Sequence, residues 1–206
     1  MPSIAITGGI ATGKSIATQF LSKKLKTIAF DADQEVSHLL DHDPGVIEEI
    51  ISKFGPTIYD GQKKANRVIL RALLIEHPES KKKLEEILYP RLRAQWTPLA
   101  LKAKGKTQPL FLAEIPLLYE NNLTDYFDEV IVVAASEQTA LQRLSSHKGL
   151  STANALALIQ LQSPLIEKIK RAPRVLWNDG SITILEEQLN LLFFTILQRQ
   201  HLLLPS

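Results

Sequence analysis

The chain contains no cysteine. Disulfides, thiolate metal sites and cysteine nucleophiles are excluded together, and nothing points to an oxidising compartment. Charge of one sign is not in excess: 24 lysines and arginines face 22 acids, and a net charge of +2 is too small to argue for a nucleic-acid partner. The clusters Lys23-Lys24, Lys81-Lys82-Lys83 and Lys168 to Arg174 therefore read as solvated helix faces, any of which could also meet a phosphorylated ligand. Long apolar runs are missing. Residues 189–197 come nearest, but Asn190 and Thr195 interrupt them and the stretch falls far short of a membrane span. No basic segment with an apolar core precedes the first strand, so no signal peptide is read and the expected location is the cytoplasm. The histidines are scattered. His38 and His42 have a spacing open to metal ligation on a helix, yet Asp41, Asp43 and Pro44 favour a helix end there, and no zinc site is assigned. What remains, 45% hydrophobic and 22% charged over 206 residues, suits one soluble α/β domain with insertions and a substantial core.

Against this plain background stands Gly8-Gly9-Ile10-Ala11-Thr12-Gly13-Lys14-Ser15, which satisfies the full phosphate-loop spacing. Residues 3–7 read as a short buried strand, and Ser15 to Leu25 as a helix with Phe20, Leu21 and Leu25 on its apolar side. Glycines let the turn point successive backbone N–H groups into one concavity, and the helix N-terminus adds unpaired N–H groups and partial positive charge. A glycine-rich turn that binds nothing needs only a glycine pair; a complete motif between strand and helix is a nucleoside triphosphate site. In it Lys14 reaches the β- and γ-phosphates, and the Ser15 hydroxyl ligates Mg²⁺.

Residues 27–30 read as a second strand running into Asp31-Ala32-Asp33. Strand alternation puts both aspartates on one side if the extended form continues, at the carboxyl edge where parallel sheets bind ligands. The alternative is a helix cap, with Asp33 preceding residues 34–40. Residues 34–104 then hold little that resembles a strand. Asp43-Pro44 starts a helix, Gly55-Pro56 stops it and Asp60-Gly61 marks a turn; further helices break at His77-Pro78 and at Tyr89-Pro90. The span exceeds a simple crossover and reads as a helical substrate domain inserted in the sheet. Pro109 to Ile115 is a nearly continuous apolar strand, as a central parallel strand should be. Pro116, Leu117 and Glu120 follow at the functional edge, Glu120 as a ligand for substrate or magnesium or as a surface acid. Residues 129–135 make a fourth strand. A helical flap over 139–171 carries Arg143, His147, Lys148, Lys168, Lys170 and Arg171, with Ser151 capping one helix and Pro164 opening another. Residues 174–177 form the last strand, and 182–204 a closing amphipathic helix. The division is thus a core of 1–33, 105–138 and 172–206, a substrate domain of 34–104 and a lid of 139–171.

Thr7 through Ser15, followed by Asp31-Ala32-Asp33, resembles the opening of the dephospho-CoA kinase family. The resemblance runs through Ile115-Pro116-Leu117-Leu118-Tyr119-Glu120, Gln142-Arg143-Leu144, Gly149-Leu150-Ser151, Gln162 and Lys168 to Val175-Leu176-Trp177-Asn178-Asp179-Gly180. It implies a P-loop three-layer α/β/α fold with a five-stranded parallel sheet, a helical substrate domain and a mobile lid. It implies transfer of the ATP γ-phosphate to the ribose 3′-hydroxyl of dephospho-CoA, the last step of coenzyme A biosynthesis. By resemblance Asp33 is the general base, Lys14 the phosphate clamp and residues 11–16 (Ala11, Thr12, Gly13, Lys14, Ser15, Ile16) contact ATP, with Gly8 and Gly9 completing the loop. Arg143 is the catalytic cation of the lid, and Pro116, Leu117 and Glu120 meet the acceptor substrate. The partners implied are ATP, Mg²⁺ and dephospho-CoA, with no nucleic acid and no membrane, in a monomer or weak homo-oligomer. The chain departs from the family pattern at Ala11-Thr12, usually Gly-Ser, and at Ile16, usually threonine. Tyr89, His147 and Pro173 stand where the family usually has histidine, arginine and aspartate. A different small-molecule kinase of the same fold is the nearest rival. A GTP-dependent switch should carry an Asn-Lys-x-Asp run after a strand, and none is present.

Overall fold

A computed structural model describes residues 3–62, 64–105 and 110–199. They fall into two compact units, one running to Asp31 and resuming at Thr97, the other Ala32–Trp96. The strands are β1 (Ser3–Gly8), β2 (Ala29–Asp31), β3 (Phe111–Glu114), β4 (Glu129–Ala134) and β5 (Arg174–Trp177). The helices are α1 (Lys14–Leu25), α2 (Ala32–His42), α3 (Pro44–Phe54), α4 (Arg67–Glu76), α5 (Glu79–Ala103), α6 (Glu137–Lys148), α7 (Thr152–Gln160), α8 (Leu165–Arg171) and α9 (Ile182–Arg199).

In the first unit the strands form one parallel sheet in the order β2-β3-β1-β4-β5. Every residue of β1 and of β3 is buried, and β4 is buried after its first residue. Strands covered on both faces need no polar alternation, which is why these segments read as apolar runs. Ile4, Ile6, Leu112, Ile131 and Val133 from the sheet pack with Ala17 and Leu21 of α1 and with Leu185, Leu189, Leu192 and Ile196 of α9. Truncating a fully buried leucine such as Leu21 or Leu189 to alanine costs about 2–5 kcal/mol. The chain leaves β1 toward β2 and β3 and later returns to its other side in β4. A crevice therefore opens at the carboxyl end of β1, where doubly wound sheets bind ligands.

Residues 139–171 lie in α6, α7 and α8, within the first unit. Ser136 caps α6 by accepting from the Thr139 N–H, and Ser151 caps α7 by accepting from the Asn154 N–H. Pro109, expected to open β3, lies outside the described residues, as do residues 200–204 of the expected closing helix.

The second unit comprises α2, α3, α4 and α5 as far as Trp96, around Leu39, Leu40, Val46, Ile50, Ile58, Leu70, Ile87 and Trp96. Asp43 caps α3, its Oδ1 accepting from the Val46 N–H at 3.0 Å, with Pro44 in the first turn. Two expectations change here. The extended form does not continue through Asp33: β2 stops at Asp31 and α2 starts at Ala32, so Asp33 stands in the first helical turn rather than capping it. And Tyr89-Pro90 does not break the chain, because α5 runs 25 residues through Pro90 and Pro98. A proline inside a helix costs roughly 3 kcal/mol. Burying Leu84, Ile87, Leu88, Leu92 and Trp96 along one continuous helix returns more than that, at about 1.5–3 kcal/mol for each aliphatic side chain. The Arg91 guanidinium also donates to the Ile87 carbonyl at 2.8 Å beside the proline. His38 and His42 both lie on α2 and stack at 4.8 Å. Among the described residues no group of three or more histidines and acids is arranged to hold a metal.

Candidate active site

The phosphate loop joins β1 to α1 in the conformation its glycines permit. A Cβ on Gly8 would stand 2.1 Å from the Val133 carbonyl oxygen of β4, so only glycine fits there. Gly13 caps α1 at φ +96°, and its carbonyl accepts from the N–H groups of Ile16 and Ala17 at 3.1 and 3.2 Å. Ala11 takes a left-handed conformation, φ +58°, without being glycine. Inside the loop the Gly9 carbonyl accepts from Thr12 Oγ1 at 3.0 Å and from Lys14 Nζ at 2.8 Å. Lys14 is thereby folded over the loop and buried. Ile16, the last of the expected ATP contacts, is exposed in the first turn of α1.

Ser15 Oγ donates to Glu114 Oε1 at 3.1 Å. Glu114 ends β3, directly opposite Asp31 in register on one side and Ile6 on the other. It is 1% exposed, and its Oε2 has no hydrogen-bond partner. Burial pushes its carboxyl above the usual range, the Lys14 charge pulls it down, and the Asp31 charge raises it again. A buried acceptor oxygen beside the phosphate-loop serine fits the hard oxygen donor set of a partly hydrated Mg²⁺.

The other side of the loop is tied down by α6 and by the turn after β5. Asn178, buried, donates from Nδ2 to the Thr12 carbonyl at 2.8 Å and from its N–H to the Ala134 carbonyl at 2.7 Å. Its own carbonyl accepts from Arg143 Nη2 at 2.8 Å, while Arg143 Nη1 donates to the Ala11 carbonyl at 3.2 Å. Asp179 accepts from the Ser136 N–H and hydroxyl and from Trp177 Nε1. Burial raises its carboxyl, but these donors outweigh that and hold it below the usual range.

The segment after β3 is anchored by the Thr7 hydroxyl, which donates to the Pro116 carbonyl at 3.1 Å. Leu117 is half-buried, its carbonyl accepting from the Asn121 backbone and side chain. Glu120 faces α8: its Oε1 lies 2.7 Å from Lys168 Nζ, an ion pair by distance whose angles fall short of a hydrogen bond, and accepts from the Ser163 N–H at 3.3 Å. Lys168 is 1% exposed, which corrects its reading as part of a solvated face. Glu120 Oε2, Gln162 Oε1 and the Tyr119 hydroxyl are buried nearby without hydrogen-bond partners, and Arg171 lies over the Tyr119 ring at 4.8 Å. His147 Nδ1 meets the Arg143 carbonyl one turn back, and the Lys148 side chain lies outside the described residues.

The structure thus brings together Gly8, Gly9, Ala11, Thr12, Gly13, Lys14, Ser15 and Arg143, with Pro116 tied to the end of β1. Asp33 belongs to the second unit. Two residues of this constellation escape a reading of the sequence. Glu114 hides as one acid in an apolar run; the signal is a lone charge at the carboxyl end of a central parallel strand. Asn178 appears in the sequence only within the family-like segment after the last strand, with no role attached, since its partner Thr12 is remote in the chain.

Residues 3–183 match the family model described as dephospho-CoA kinase. A dephospho-CoA kinase from Synechocystis sp. is 36% identical over 186 residues, covering 90% of this chain and 92% of that protein. Among solved structures, one from Thermus thermophilus superposes with a TM-score of 0.70 at 30% identity, covering 94% of this chain and 96% of its own. The dephospho-CoA kinase from Campylobacter jejuni gives 0.61 at 27% identity, covering 96% and 98%. A phosphate loop alone is shared by many small kinases, but a match spanning both units is not, and the chain belongs to the dephospho-CoA kinase family.

Proposed function

We propose that the chain carries out the family reaction with the residues described above: the 3′-oxygen of dephospho-CoA attacks the γ-phosphorus of ATP, the bond to the β-phosphate oxygen breaks, and CoA and ADP leave. The observation that carries this reading is the closed phosphate loop with Ser15 on the Glu114 carboxylate, in a chain of this family. Lys14 leaves the Gly9 carbonyl for the β- and γ-phosphates, and N–H groups from Ala11 to Ile16 complete the cradle. Ser15 and Glu114 are the residues that would hold Mg²⁺, whose charge offsets that of the phosphate oxygens when it is bound. Asp33 takes the proton of the attacking hydroxyl. Asp31, opposite Glu114 in the sheet, stays on the metal side of the reaction. Arg143, beside the Ala11 carbonyl, neutralises charge on the transferred group, and residues 139–171 act as the lid that excludes water. Residues 34–104, with Pro116, Leu117 and Glu120, receive the acceptor. The enzyme works in the cytoplasm as a monomer or weak homo-oligomer.

ADP release measured with and without dephospho-CoA, beside shikimate and nucleoside monophosphates as alternative acceptors, tests the reading. Turnover should require dephospho-CoA, and turnover with another acceptor alone would sink it. Asp33→Asn should lose about 10²–10⁴ in rate while ATP still binds, and Asp31→Asn less. If Asp31→Asn is dead and Asp33→Asn active, the two roles are exchanged.

A further inference from the structure

The geometry points to Asn178 as a positioning residue for nucleotide binding: its amide fixes the Thr12–Gly13 peptide so that the phosphate loop is ready-shaped before ATP arrives. This deepens the ATP-site reading and rests on it. A trans peptide is planar, with its C=O and N–H directed oppositely. Holding the Thr12 carbonyl on Asn178 Nδ2 at 2.8 Å therefore turns the Gly13 N–H the other way, into the concavity. Arg143 does the same for the preceding peptide through the Ala11 carbonyl at 3.2 Å, and it is itself seated on the Asn178 carbonyl at 2.8 Å. Asn178 is 4% exposed and bonded through its N–H to the Ala134 carbonyl at the end of β4, so its amide is delivered from a rigid sheet rather than from a loop. The fit is close from the other side too. A Cβ on Gly13 would lie 2.2 Å from Asn178 Nδ2, so the motif's second glycine leaves room for this amide as well as meeting its own φ of +96°. A turn after β5 needs no buried amide. The Asn178 side chain serves the loop.

Calorimetric ATP binding with Mg²⁺, steady-state constants for ATP and dephospho-CoA, and urea unfolding on the full chain decide the matter. Asn178→Ala should weaken ATP by about tenfold or more, the scale of one lost buried hydrogen bond, and leave KM for dephospho-CoA within about twofold. Asn178→Asp replaces the donor with a carboxylate and should weaken ATP further, recovering relative to wild type as pH falls and a protonated carboxyl regains its O–H donor. Gly13→Ala should harm ATP binding at least about fivefold less in the Asn178→Ala background than in wild type, because the clash is gone while the strain at Gly13 is common to both. Folded Asn178→Ala that binds ATP like wild type, equal losses for both substrates, or independence of the two substitutions would each overturn the assignment. Should Asn178→Ala fail to fold, Asn178→Asp decides alone: a loss of ATP affinity that ignores pH rejects the role. Failure of wild type to bind ATP, or ATP binding unaffected by Lys14→Ala, defeats the ATP-site reading instead.

Discussion

The two walls of the phosphate loop are built on opposite principles. On the β3 side Glu114 is buried with Oε1 on the Ser15 hydroxyl and Oε2 without a hydrogen-bond partner, and desolvation outweighs the Lys14 charge and the Ser15 and Thr18 hydroxyls to push its carboxyl upward. On the β5 side Asp179 is exposed yet gathers donors from Ser136 and Trp177, and its carboxyl is pulled downward. Buried polar groups are normally satisfied, and an unsatisfied carboxylate oxygen beside charges is where a ligand has something to gain. The satisfied wall, where Asn178 and Arg143 bond to the carbonyls of Thr12 and Ala11, holds the loop in shape; the unsatisfied oxygen of Glu114 is where a bound group would have a charge to meet. Substitutions on the two sides should therefore separate rate from stability.

The largest separation is expected at Lys14, which lies over the loop on the unsatisfied side. Lys14→Ala should lose several orders of magnitude in turnover, as removal of a phosphoryl-transfer contact does, with the urea midpoint nearly unchanged. A folded Lys14→Ala with near wild-type turnover breaks the comparison at its strongest point. Glu114→Gln comes next. Loss of an acid supporting a metal site typically costs about 10–100-fold, so the Mg²⁺ concentration for half-maximal activity should rise by about that factor. Its stability should move the other way. A carboxyl raised in the folded state contributes stability that is full below its unfolded pKa and lost as pH rises through the folded value. Glu114→Gln should therefore gain on wild type in urea unfolding as pH goes from acid toward neutral. A variant that loses both rate and stability at neutral pH would make Glu114 scaffold after all.

Asp179→Asn should show the reverse with a smaller amplitude. A carboxyl lowered in the folded state contributes stability above its unfolded pKa and loses it as pH falls through the folded value. The variant should be less stable than wild type at neutral pH, by no more than about 1 kcal/mol since the group is exposed, and should converge with it in acid. Turnover should stay within a few-fold. A pH-independent difference would remove the contrast with Glu114.

The sheet was legible from the sequence because strands covered on both faces announce themselves as short apolar runs, and the loop because glycine spacing is a local steric demand. What was hidden depended on contacts remote in the chain. Tyr89-Pro90 looked like a break because proline's penalty is local, while the burial of Leu92 and Trp96 that overrides it is tertiary. Lys168 looked solvated among Lys170 and Arg171 because nothing nearby in sequence shows that Glu120 faces it. Asp33 was open to two readings, a continued strand or a helix cap, and neither holds, because pairing with β3 carries β2 to Asp31 and α2 starts at Ala32, ahead of the residues 34–40 that mark a helix in the sequence.

The smallest effect belongs to Ala11, where two terms of similar size oppose each other. At φ +58° a residue with a Cβ bears a strain of about 1–2 kcal/mol that glycine does not. Ala11→Gly removes that strain but lets the unfolded chain roam more widely, which costs about 0.4–1 kcal/mol. The net should be a gain between nothing and about 1.6 kcal/mol in urea unfolding. Turnover should be nearly unchanged, because Arg143 holds the Ala11 carbonyl whichever residue supplies it. The comparison is sharpened by repeating the substitution in Arg143→Ala. With its carbonyl no longer held, glycine at position 11 has no reason to keep the left-handed turn, and ATP binding should weaken more than in Arg143→Ala alone. If Ala11→Gly weakens ATP equally with Arg143 present or absent, the backbone at this position is held by the alanine itself and not by the scaffold wall.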